Sequence, residues 1–212
     1  MARTAGTTAT LRRVPAQERS RRHLETILDA AALVFSETGF DAATMDAVAV
    51  RAGTSIGSLY RFFPNKRALF RALVDRNLAR ARVLHQTLLT PEALERPWPE
   101  LVDAVIDGFD AMKRDPGFRA TALNLQVYGL YEKADDALHR EFIRRTDQLI
   151  ARKAPRMPAG ERRLVATMLN HVIAALLFFS EREDPRMAKK LIAETKVLLR
   201  RYLEPHLGKP TT

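Results

Sequence analysis

Gly57-Ser58-Leu59-Tyr60-Arg61, with Lys66 just beyond, combines groups that bind phosphate with groups that read base edges. With Ser55 at the N-cap of a helix, Ile56, Gly57 and Ser58 fall in its first turn. Leu59 then turns inward, and Tyr60 and Arg61 turn outward. The Tyr60 hydroxyl can donate to a phosphate, and Arg61 can reach a phosphate or a guanine edge. Lys66 opens the next helix at phosphate-backbone distance. A glycine inside a helix costs about 1 kcal/mol relative to alanine. Gly57 and Ser58 are explained if this turn presses into the DNA major groove, where larger side chains would hold the backbone away. The competing explanation is an ordinary helical hairpin in which Gly57 is incidental.

Other chemistry finds little support. His23, His85, His139, His171 and His206 are scattered, with no His-x-x-x-His pair. Asp135, Asp136, His139 and Glu141 form a carboxylate–imidazole group, but on so polar a segment a solvated helix face is the simpler account. Neither a phosphate-cradling glycine loop nor a nucleophile elbow occurs. With no cysteine, thiolate metal sites, thiol nucleophiles and disulfides are excluded. We therefore expect no metal, no cofactor and no enzymatic activity. A formal net charge of +10 favours a polyanionic partner. Residues 1–22 hold six arginines against Glu18 alone, a local charge of +5, while residues 23–77 balance six basic side chains against six acidic ones.

The elements that must position these groups are helical throughout. Residues 1–20 show no apolar period and read as a disordered basic tail. Leu24, Ile27, Leu28, Ala31 and Phe35 then repeat at helical spacing up to Thr38-Gly39. Thr44 caps a second helix ended by Gly53, Ser55 caps a third, and Pro64-Asn65 precedes a long fourth that reaches Thr90-Pro91. Proline and glycine punctuation predicts further helices near 99–114, 116–130, 133–153, 159–182 and 185–203. No segment alternates with a strand's period, so the fold class is all-α. The longest wholly apolar run, Val172 to Phe179, has eight residues, and no apolar segment follows the N-terminal arginines. No membrane association and a cytoplasmic location are therefore expected.

Residues 21–74 resemble the N-terminal DNA-binding domain of the TetR (tetracycline-repressor) family. The family's pattern matches Thr44, Ala52-Gly53-Thr54-Ser55, Gly57-Ser58-Leu59-Tyr60 and Phe63-Pro64-Asn65-Lys66. Phe62 departs from it, standing where His or Tyr is common, and Thr54 replaces a common valine. The resemblance implies a tail at 1–20, a three-helix helix-turn-helix DNA-binding domain at 21–74, and a larger helical effector-binding and dimerisation domain at 75–212. It assigns Thr44, Ser55, Gly57, Ser58, Tyr60, Arg61 and Lys66 to the surface that meets double-stranded DNA. The tail arginines would add phosphate or minor-groove contacts.

Residues 163–179 are apolar on nearly all sides, and such a helix must be covered all round. With the last helix it resembles the pair through which the family forms homodimers; a central helix of a monomeric bundle is the alternative. Regulators of this family release DNA when a small molecule enters the C-terminal domain. Candidate lining residues are Trp98, Phe109, Met112, Phe118, Tyr128, Met168, His171 and Phe178, aromatic or sulfur-bearing side chains suited to an apolar ligand. Plain core packing competes with ligand contact at each. The expected function is a ligand-responsive regulator, a repressor bound as a dimer to a palindromic operator and released by a small apolar molecule. The alternative is a ligand-independent architectural DNA-binding protein.

Overall fold

The computed structural model describes residues 16–124 and 134–209, and among these there are nine α-helices and no strand. The order is α1 (Ala16–Ala42), α2 (Met45–Arg51), α3 (Ile56–Phe62), α4 (Lys66–Leu88), α5 (Trp98–Met112), α6 (Pro116–Asn124), α7 (Ala134–Lys153), α8 (Ala159–Ser180) and α9 (Pro185–Leu207). Helix α1 starts at Ala16, within the expected tail and eight residues before Leu24, so residues 16–20 belong to the helix. Its first turns carry almost no apolar residues. An Arg22–Glu18 pair at 2.5 Å, one turn apart, helps hold them.

Helices α1 to α3 and the first half of α4 enclose one core. Ile27, Phe35, Leu59, Leu69, Phe70 and Leu73 are almost wholly buried in it. Phe35, Phe40 and Phe70 meet in a three-ring cluster, with centroids 5.0–5.7 Å apart. The end of α1 explains a feature the sequence misled on. The chain breaks out of the helix at Gly39 (φ 76), a left-handed conformation that suits glycine. The break turns three carbonyls toward a single point, where Lys66 Nζ donates to Phe40 O (2.7 Å), Asp41 O (2.9 Å) and Ala43 O (2.8 Å). The ammonium also sits 4.7 Å from the Phe40 ring centre. All three of its protons are committed, so Lys66 acts as an internal clasp between α1 and α4. The DNA contact expected of it is corrected on that ground. Lys66→Met keeps the stem but strands the carbonyls, and is expected to lower unfolding free energy by about 2 kcal/mol in urea titration. Unchanged stability would contradict the clasp.

A second core lies among α5, α7, α8 and α9, around Ile106, Ile150, Val165, Leu199 and Leu203. The division at residue 74 is not a clean one. Helix α6 lies against α1 and α4 and places Ala120 in the first core. A buried hydrogen bond from Asn77 Nδ2 to Thr121 Oγ1 (3.0 Å) ties α4 to α6. Arg76 adds ion pairs from α4 to Glu25 (3.2 Å) and Asp29 (2.7 Å) on α1. Helix α8 is long and apolar enough to cross a bilayer by length and composition alone. Here it packs against α7 and α9.

Candidate nucleic-acid interface and internal cavity

Two local capping contacts fix the helix-turn-helix. Thr44 Oγ1 accepts from Ala47 N (3.1 Å) at the start of α2, and Ser55 Oγ accepts from Ser58 N (3.1 Å) at the start of α3. Each hydroxyl is exposed and keeps its own proton to donate outward. Leu59 is fully buried and anchors α3 to the core, as its inward position just after the first turn predicts. On the opposite side Gly57 and Arg61 are exposed and Tyr60 is 48% exposed. A Cβ built on Gly57 would meet nothing within 4 Å, so no neighbour in the fold requires glycine there. Ser58 is half-buried, with its hydroxyl 3.4 Å from His23 Nε2, and Thr54 Oγ1 lies 3.2 Å from the same nitrogen. His23, on α1, therefore supports the turn from behind, and no sequence motif marked it. Phe62 packs on the core and on His23, with ring centres 5.6 Å apart. With Lys66 turned inward, the exposed cation at the start of α4 is Arg67.

The second candidate site is a cavity of about 410 Å³ lined by residues of α4 to α9. Trp98, Phe109, Phe118 and Phe178 line it, as predicted. Met112, Met168 and His171 do not. Met168 and His171 are exposed on α8, on a stripe with Leu164 and Phe179, while Leu169, Ile173 and Leu177 of the same helix face the cavity. The reason is rotational phase: each residue turns 100° about the helix, so Met168 and Leu169 look in different directions. Tyr128 lies outside the described residues.

Sequence reasoning missed His85 and Phe142 in the wall. The imidazole of His85, 3% exposed, stacks on Phe142 at 4.3 Å, and Phe142 in turn meets Phe109 edge-on at 6.1 Å. Burial, reinforced by the Arg145 charge and only partly opposed by Glu141, pushes its pKa down to about 4, so the ring is neutral. Lys113 is buried beside the cavity. Its ammonium donates to Ser180 Oγ (2.6 Å) and pairs with Asp110 (2.7 Å) and Glu181 (3.4 Å).

Residues 27–73 match the tetR family of bacterial regulatory proteins, and residues 97–203 match the tetracyclin repressor-like C-terminal domain. A TetR-family transcriptional regulator from Streptomyces coelicolor is 35% identical, with a TM-score of 0.60 over 87% of this chain and 99% of that one. The HTH-type transcriptional repressor KstR of Mycobacterium tuberculosis is 40% identical over 63 residues, 30% of this chain. The chain spans about three-tenths of the length of the curated relatives it matches. SmeT of Stenotrophomonas maltophilia, in its triclosan complex, is 22% identical with a TM-score of 0.67 over 90% of this chain and 96% of that one. At that identity the likeness speaks to the fold alone.

Proposed function

This chain belongs to the TetR family of bacterial regulatory proteins, and from that premise we propose that it is a ligand-responsive repressor. It binds a palindromic operator as a homodimer and is released by a small apolar molecule. Family membership, and not a missing catalytic cluster, is what sets the enzyme reading aside. The observation that carries the proposal is α4. One unbroken helix has its first residue clasped to the end of α1 and its last two turns in the cavity wall at Ala81 and His85. A ligand that shifts the far end of α4 therefore acts on the module bearing α3. Triclosan in the SmeT complex is an example of a small molecule held by this fold.

In the DNA-bound form Gly57 and Ser58 approach the groove floor, Arg61 reads a base edge or a phosphate, and Thr44, Ser55 and Tyr60 donate to phosphates. Arg67 takes the phosphate role expected of Lys66. The arginines before residue 16 add sequence-independent affinity. A cytoplasmic location follows from that partner.

The dimer forms through α8 and α9. Leu164 (60%), Met168 (42%) and Phe179 (53%) on α8, with Met187 (43%) and Leu198 (52%) on α9, are exposed apolar side chains of the kind a partner helix pair covers. Leu198→Glu, at an exposed position, is expected to leave the protomer folded, halve its mass by light scattering, and weaken DNA binding at least about a hundredfold, because two half-sites are no longer bound together. Selection of bound duplexes from a random pool tests the function itself. The expected product is an inverted repeat with half-sites about one helical turn, or a multiple, apart. Sequences without a repeat, and no release by any compound that fills the cavity, would favour the architectural alternative.

A further inference from the structure

Among the described residues, several polar groups near the cavity wall are already committed to partners within the chain. The Lys113 ammonium is satisfied by Ser180, Asp110 and Glu181. Lys153 Nζ donates to Arg96 O (2.9 Å), and Trp98 Nε1 to Gly208 O (3.1 Å). Asn170 spends its amide protons on Thr146 Oγ1 (3.0 Å) and Ala166 O (2.8 Å). His85 differs: its ring, 3% exposed, lines the cavity, and its Nδ1 is buried with no hydrogen-bond partner. Leaving such a nitrogen unpaired costs stability, and the stack on Phe142 holds the ring in that position.

We propose that His85 is the polar anchor of the effector, and that the cavity takes an uncharged, largely apolar molecule carrying one hydroxyl or carbonyl group. The assignment rests on the effector reading above and deepens it. A neutral imidazole offers one donor and one acceptor, so it pairs with either group. An anion finds no vacant ammonium among the described wall residues, since Lys113 is held between two carboxylates and Lys153 donates to Arg96 O. Protonating the imidazole to create one is opposed by burial, which holds its pKa near 4. Because His85 sits on α4, the same hydrogen bond that selects the ligand also pulls on the helix leading to the DNA-binding module.

The test uses the full chain and three probes of similar shape: butylbenzene, para-butylphenol and para-butylbenzoate. Trp98, the single tryptophan, lines the cavity and reports occupancy by fluorescence, with calorimetry as a second readout. His85→Phe keeps the ring stack but has no nitrogen. It is expected to weaken para-butylphenol about tenfold and leave butylbenzene within about twofold, and His85→Gln is expected to recover part of the loss. The benzoate is expected to bind the unaltered chain at least about tenfold more weakly than the phenol. Equal phenol binding in the His85→Phe variant, or a preference for the benzoate, overturns the anchor and leaves the effector cavity standing. If none of the probes binds, both fall. If they bind with the expected preference but fail to release selected DNA, the anchor is supported and only the effector reading is lost.

Discussion

Gly57→Leu is expected to reduce affinity for the selected operator by at least about a hundredfold, while unfolding free energy stays the same or rises slightly. The two halves of this result have separate causes. In the folded chain a Cβ at position 57 meets nothing within 4 Å, so the fold has room for the side chain. Exchanging glycine for a good helix former in the first turn of α3 stabilises by up to about 1 kcal/mol. In the proposed complex, the added bulk would stand between the first turn of α3 and the groove floor and would lift the neighbouring contacts of Ser58 and Arg61 out of reach. Each well-made base contact is worth about 1–3 kcal/mol, and a dimer loses them twice. Gly57→Ala, with one added carbon, should fall between. Electrophoretic shift with the selected duplex, beside urea unfolding of the same preparations, measures both quantities. Operator binding within about threefold of the parent would remove α3 from the groove.

How much of this was legible in the sequence depended on the range of the interactions involved. Thr44 and Ser55 cap the helices they were expected to cap, because a capping hydroxyl bonds a backbone N–H only three residues on. Lys66 was misread because its acceptors are 23 to 26 residues away, on a turn whose geometry depends on the φ of Gly39. His23 was invisible for the same reason: it meets Thr54 and Ser58 across 31 and 35 residues. Helix α8 posed a different difficulty. With apolar residues all round, its pattern carries little phase information, so Met168 and His171 could not be told from Leu169 and Ile173 until α7 and α9 were in place. His85 had no motif at all; only the closing of the cavity around it isolates its ring.

That isolated ring makes stability depend on pH in a direction that can be worked out. Unfolded, His85 has its ordinary pKa of 6.5; folded, burial first and the Arg145 charge second lower it to about 4, against Glu141. Between those two values the unfolded chain binds the proton and the folded chain does not. Unfolding is therefore increasingly favoured as pH falls through the window from about 6.5 to about 4. The contribution is fully present above 6.5 and is lost on acidification. Going from pH 7 to pH 5 removes about 2 kcal/mol of stability through this one group, and full passage through the window removes about 3 kcal/mol. Carboxylates such as Glu37, held below its usual range by its hydrogen bonds from Arg51, add a slope of their own at lower pH. The comparison that isolates the histidine is therefore the difference between the parent and His85→Phe. The variant has nothing to protonate at this position and no unpaired nitrogen to bury. It is expected to be at least as stable as the parent at pH 7, and more stable than it by about 2 kcal/mol at pH 5. Parallel stability curves for the two proteins from pH 7 to pH 4.5, by urea titration, would mean that the ring is solvated in the native state, and the cavity wall would then be open to water at α4.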